Sequence, residues 1–144
     1  MASNSVNGAS GMLTPPLAKL VMLMEDEDDI ARLVAHHLES SGFRIHRPAR
    51  SYSLISDAEE DRPALFILDL MLPEGDGFQL CRSIRHHSSL RDVPILILTA
   101  STEAEDRKRA LESGANVYIT KPFSPSALIT TVRTLSERKC SGER

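Results

Sequence analysis

Tryptophan is absent, aromatic residues make up 4% of the chain, and only two cysteines occur among 144 residues. So few aromatics leave no platform on which nucleobases could stack. Cys81 and Cys140 lie far apart and without metal-ligand spacing, which argues against a disulfide scaffold and fits a reducing compartment such as the cytoplasm. A formal net charge of −3 gives no bulk attraction for nucleic acid or a membrane surface. No apolar run is long enough to cross a bilayer. Residues 1–19 lack the basic start and apolar centre of a secretory signal. What remains, 41% hydrophobic and 26% charged residues, is ordinary for one globular domain with its own core.

Residues 1–18, MASNSVNGASGMLTPPLA, are small, polar and broken by Pro15 and Pro16, and read as a disordered leader. Residues 140–144, CSGER, read as a frayed tail, leaving a folded unit over 19–139. Within it, short apolar runs alternate with segments of helical period. The expected strands are Leu20–Met24, Phe43–Ile45, Leu65–Asp69, Pro94–Thr99 and Val117–Thr120. Between them, Ile30, Leu33, Val34 and Leu38 fall on one helical face, closed by Gly42. Tyr52–Glu60 is a weaker helix, and Phe78, Leu80, Cys81 and Ile84 mark another. Thr102 and Glu105 have the spacing of a capping box for a fourth helix running to Ser113, with Gly114 as its stop. Ser124-Pro125 is a cap followed by proline at the first helical position, and Leu128, Ile129, Val132 and Leu135 line the fifth helix. A β-α unit repeated five times, with continuous apolar strands, predicts a doubly wound parallel sheet covered on both faces.

In such a sheet, ligands bind outside the carboxyl ends of the strands. The first strand ends in Glu25-Asp26, the third in Asp69, the fourth in Thr99-Ala100, and the last runs into Lys121-Pro122. Three acids, a hydroxyl and an amine from scattered positions therefore meet on one rim. An all-oxygen carboxylate cluster suits a hard cation, magnesium when few protein ligands are joined by water. A carboxylate beside such a cation can attack a phosphoryl group. Lys121 would give a point charge to the phosphate oxygens and Thr99 a hydroxyl.

The segments VMLMEDEDDI (21–30), FILDLMLPEGDGFQLC (66–81), VPILILTA (93–100) and GANVYITKPFSP (114–125), in this order and spacing, resemble the receiver domain of two-component response regulators. The resemblance implies a flavodoxin-like, five-stranded parallel sheet of order 2-1-3-4-5 with five helices. It implies a phosphorelay switch: a histidine kinase or histidine phosphotransfer protein passes a phosphoryl group to Asp69. Magnesium would be held by Asp26, Asp69 and the backbone carbonyl of Met71, with Glu25 acting through water. Thr99, Ala100 and Lys121 would bind the phosphoryl group, and the Lys121-Pro122 bond would be cis. Thr99 and Tyr118 would be the switch, the Tyr118 ring turning inward on activation. The output face would be the fourth helix, fifth strand and fifth helix, including Arg107, Lys108, Tyr118 and Arg133. It would serve a downstream protein, a fused output domain or a second copy of the chain. The chain would be either a stand-alone receiver or one cut from a longer protein, catalysing no more than its own phosphorylation and dephosphorylation.

Some features depart from the family pattern. Asn116-Val117 stands where many DNA-binding response regulators carry two acids that pair in the active dimer. Arg47-Pro48 is unusual after the second strand, so the second helix could be displaced. An aspartyl phosphatase of the haloacid dehalogenase type would need a second Asp where Met71 stands. A receiver-like binding module that is never phosphorylated would normally lack the acceptor, the acid pair or the lysine. For the remaining polar groups, plain readings suffice. Glu27, Asp28 and Asp29 are a solvated first helical turn, His36-His37 and His86-His87 are surface histidines, and Cys81 is core.

Overall fold

The computed structural model describes residues 18–73 and 75–137. Its main sheet is built from β1 (Leu20–Met24), β2 (Arg44–His46), β3 (Leu65–Leu68), β6 (Ile95–Thr99) and β7 (Val117–Thr120). All neighbours are parallel, in the spatial order β2-β1-β3-β6-β7. This is the expected 2-1-3-4-5 order. The extra numbers come from β4 (Met71–Leu72) and β5 (Gly75–Asp76), a two-residue antiparallel pair that the sequence reading did not anticipate. Helices α1 (Asp28–Ser40), α2 (Leu54–Glu60), α3 (Gly77–Arg85), α4 (Ala104–Glu112) and α5 (Pro125–Ser136) complete the five β-α repeats.

The two faces of the sheet follow from the period of two along each strand. Leu20, Met22, Met24, Phe66, Leu68, Ile95 and Ile97 point to the side of α2, α3 and α4. Val21, Leu23, Leu65, Ile67, Leu96 and Leu98 point to the side of α1 and α5. Both sets are buried, so β1, β3 and β6 are apolar throughout except at Thr99, the last residue of β6. Each fully buried Leu or Ile contributes about 1.5–3 kcal/mol relative to exposure.

The helices differ in how they are held. Helix α1 buries Ala31, Val34 and Leu38, the spacing of one face, and Gly42 turns the chain out at φ +98°. Ser124 accepts from the Ala127 amide as expected. Helix α4 buries only Ala110. Two cations over rings join it to the body, with the Arg109 guanidinium 4.0 Å from the Phe78 ring centre and that of Arg107 5.8 Å from Tyr118.

Several expectations need correction. The Thr102/Glu105 capping box does not form: α4 starts after Glu103, which makes no side-chain cap bond. Ser101 organises this turn instead, accepting from the Glu103 amide at 3.2 Å and donating to Asp106 Oδ2 at 2.7 Å. The hydroxyl one residue before Thr102 bonds these two groups, so the local spacing rule loses to loop geometry. Helix α2 is preceded by a 3-10 turn over Ser51–Ser53 and buries Leu54 and Ala58. Of the histidines, His87 has a carboxylate partner, its ring Nε2 lying 2.6 Å from Glu59 Oε2 across α2 and α3. The leader and tail, apart from Ala18, lie outside the described residues. Among the described residues no helix is long and apolar enough to cross a membrane.

Cys81 is core, as expected, and burial pushes its thiol up to about 11. At pH 8 roughly one thiol in a thousand is then ionised, and the thiolate is the reactive form. In a Cys140→Ser background, iodoacetamide should label Cys81 only as fast as the domain opens, so the rate should rise with denaturant. Labelling in native buffer at the rate of a free thiol would contradict this packing.

Candidate functional site

The rim predicted from strand ends exists, and backbone bonds set its spacing. Asp69 follows β3, and its amide donates to the Met24 carbonyl at 3.0 Å, placing it beside Glu25 at the end of β1. Lys121 follows β7, with its amide on the Thr99 carbonyl at 2.8 Å, and the Lys121-Pro122 bond is cis. The Lys121 side chain runs back across the rim. Its Nζ lies 3.0 Å from Asp69 Oδ2 and 2.7 Å from Glu25 Oε1. It is also 3.6 Å from Glu27 Oε1, so Glu27 takes part in the charge balance and is not merely a solvated turn residue.

The carboxylates are fixed on their other sides. Glu25 Oε2 accepts from the Glu27 amide at 3.1 Å, and Asp69 Oδ1 from the Met71 amide at 3.2 Å. Glu25 Oε1 is buried and makes no aligned hydrogen bond, so its 2.7 Å approach to Lys121 is a charge contact. Asp26 is exposed. One carboxylate oxygen from each of Glu25, Asp26 and Asp69 lies within 4.8 Å of the others.

Charge and burial compete here. Burial pushes the Glu25 carboxyl above the ordinary range, against the close Lys121 contact and the Glu27 hydrogen bond, and the Asp69 charge adds to the rise. Burial alone would pull the Lys121 ammonium down, but its bonds and charge contacts with Glu25 and Asp69 together outweigh that and hold it up. Both partners of one ion pair are thus raised. The reason is that Glu25, 1% exposed at its side chain, is the more deeply desolvated partner. Three acids against one ammonium leave negative charge in a half-dry cleft. The oxygen-only donor set of Glu25, Asp26 and Asp69 fits a hard divalent cation such as magnesium.

The remaining candidates surround this centre. Thr99 is buried, and its Oγ1 accepts from the Ser101 amide at 3.4 Å. Ala100 is exposed beside it. Tyr118 is already inside, 8% exposed, with its hydroxyl donating to the Ser101 carbonyl at 3.0 Å. Met71 is 66% exposed next to the acceptor position. Asn116 is occupied within the chain, its Oδ1 accepting from the Ile95 amide and from Arg85.

Gly77, which the resemblance to the family places in the loop above the acceptor, packs against the backbone of Asp69. Sequence reasoning missed two features. Asp76 caps α3 through the Gln79 amide at 2.6 Å, a signal readable in Asp76-Gly77-Phe78. Arg47 reaches the rim from beyond β2.

The family model for the response regulator receiver domain matches residues 21–133. The phosphate regulon transcriptional regulatory protein PhoB of Escherichia coli is 39% identical over 122 residues, covering 85% of this chain and 53% of PhoB. The transcriptional regulatory protein GltR of Pseudomonas aeruginosa is 40% identical over 118 residues, covering 82% and 49%. The chain thus spans about half the length of these curated relatives. Among solved structures, a response regulator from Chloroflexus aurantiacus superposes with a TM-score of 0.80 at 30% identity, covering 84% of this chain and 99% of that one. The chemotaxis protein CheY4 of Vibrio cholerae gives 0.76 at 27% identity, covering 82% and 98%.

Proposed function

Because this chain belongs to the response regulator receiver domain family, we propose that it is a phosphorylation-driven switch with Asp69 as its phosphoryl acceptor. The observation that carries the reading is the convergence of Asp69, Glu25 and Lys121 within 3.0 Å contacts, with Asp26 beside them. An Asp69 oxygen attacks the phosphorus of a phosphohistidine on a kinase or phosphotransfer protein. The new O–P bond forms as the P–N bond breaks, and the leaving imidazole takes a proton. Asp26, Asp69 and the Met71 carbonyl, with Glu25 through water, would hold magnesium, which would supply positive charge to the phosphoryl group. Lys121 leaves its carboxylate partners for the phosphoryl oxygens, joined by the Thr99 hydroxyl and the Ala100 amide. Water later hydrolyses the acyl phosphate.

The switch runs through one short path. Thr99 is bonded to Ser101 only by a long contact, so its hydroxyl is available to the phosphoryl group. Moving Thr99 carries the Ser101 carbonyl, which holds the Tyr118 hydroxyl. That differential contact is what lets phosphorylation shift a population. Tyr118 starts inside, so the change would be a repositioning of the β6–α4 turn and α4 around it. Arg107, Lys108 and Arg133 lie on the output face, and the names and lengths of the relatives support a fused output domain or downstream regulator. A homodimer through this face would lack the paired acids, since Asn116-Val117 occupies their place. The kinase would be met in the cytoplasm, and this segment would bind neither nucleic acid nor membrane.

Acetyl phosphate with magnesium should add one phosphoryl group to the wild type, read by intact mass, and none to Asp69→Asn. A group still arriving on Asp69→Asn would remove the assignment, as would a wild type that stays unmodified.

A further inference from the structure

Arg47 is the residue that the family pattern left unexplained. It follows β2, which pairs with β1 only as far as His46 opposite Met22. Pro48, buried, has no N–H to offer that edge. The Glu25 carbonyl lies beyond this pairing, and the Arg47 guanidinium donates to it at 3.0 Å. The same nitrogen lies 3.2 Å from Asp28 Oδ1 in the first turn of α1.

That carbonyl belongs to the peptide unit joining Glu25 to Asp26. The unit is planar, so pinning its oxygen sets the direction in which the Asp26 Cα leaves. Glu25 has its own side-chain anchors in the Glu27 amide and Lys121, whereas Asp26 is exposed and depends on its backbone for aim. We infer that Arg47 is a positioning residue: its bond to the Glu25 carbonyl holds the Glu25-Asp26 turn so that both carboxylates face the cation site. The inference rests on the magnesium reading proposed above.

The sign of the effect separates this role from a simple charge effect. A nearby guanidinium repels a divalent cation, so if charge alone mattered, removing it would tighten magnesium binding. If positioning matters, removing it weakens binding. The test measures magnesium affinity of the full chain by calorimetry or amide shifts in about 1 M sodium chloride, where charges more than about 3 Å apart are largely screened. Arg47→Met keeps the stem and loses the donor; it should weaken binding about tenfold, the usual cost of losing a group that orients a ligand. Arg47→Lys restores a donor and should bind within about threefold of wild type. Arg44→Met is the matched control, because Arg44 ties the other end of β2 to the Ala18 carbonyl and Asp61 and should leave the affinity unchanged.

Unchanged or tighter binding in Arg47→Met would overturn the proposal. So would no rescue by Lys, or an equal loss in Arg44→Met, which would mark a general loosening of β2. Asp26→Asn tests the reading beneath it: wild-type magnesium affinity in that variant would unseat the metal site itself and not the role of Arg47.

Discussion

Lys121→Met is expected to melt on the order of 10 °C below the wild type in the absence of divalent cations. Lys121 is 11% exposed at its side chain, Glu25 1% and Asp69 7%. Removing one partner from a buried ion cluster leaves its charge uncompensated and costs about 3–5 kcal/mol. Methionine keeps most of the stem packing, so the loss is electrostatic. The pH dependence follows from the raised Glu25. A carboxyl whose folded value lies above its unfolded value contributes stability that is present below the unfolded value and lost as pH rises through the folded one. Without the Lys121 ammonium that window moves further up. Acidifying from neutral pH should therefore raise the melting temperature of Lys121→Met more than that of the wild type. Magnesium at neutral pH should do the same, since it supplies the missing charge. A variant that melts with the wild type, or one indifferent to acid and magnesium, would mean that the carboxylates do not repel as their placement requires.

Gly77→Ala carries the second large effect. A Cβ at Gly77 would stand 2.5 Å from the Asp69 carbonyl oxygen and 2.9 Å from the Leu70 Cα, both backbone atoms. The Gly77 amide also donates to the Leu70 carbonyl at 3.1 Å. No side chain can rotate away, so the turn carrying Asp69 or the start of α3 must move. Overpacking of this kind costs roughly 1–3 kcal/mol, and here the displaced group is the acceptor. The expected result is a lower melting temperature together with strongly slowed phosphoryl uptake. Gly42→Ala is the comparison. Gly42 sits at φ +98° with open space around it, so alanine costs about 1 kcal/mol of backbone strain and leaves uptake unchanged. Equal uptake in the two variants would refute the close packing of Gly77 on Asp69.

The sequence disclosed the site because its acids and lysine lie at strand ends, and strand ends are readable wherever an apolar run stops. Asp69 after Leu65–Leu68 and Lys121 after Val117–Thr120 needed no structure to be placed on one rim. The α4 cap was misread for the opposite reason. Thr102 and Glu105 satisfy a spacing rule, but the chain enters α4 through Glu103 and Ser101 takes the Glu103 amide and the Asp106 carboxylate, an outcome that only the path of the β6–α4 turn decides. Glu59 with His87 and Arg47 with the Glu25 carbonyl join residues 28 and 22 positions apart. Such pairs leave no periodic trace, because exposed polar side chains have no pattern to keep.

By itself the sequence determined the five β-α repeats, the two-sided burial of β1, β3 and β6, and the identity of the groups on the rim. Period and chain order settle these, since a sheet covered on both faces favours apolar residues on both sides of its central strands until the rim is reached. The tertiary structure alone decided the electrical state of the rim. It placed the Lys121 ammonium between Glu25 and Asp69, buried Glu25 more deeply than its partner, left Asp26 exposed, and brought Arg47 to the Glu25 carbonyl. Those outcomes depend on distances of a few ångströms between residues far apart in the chain. Coulomb energies and desolvation change steeply over such distances, and residue spacing along the chain does not encode them.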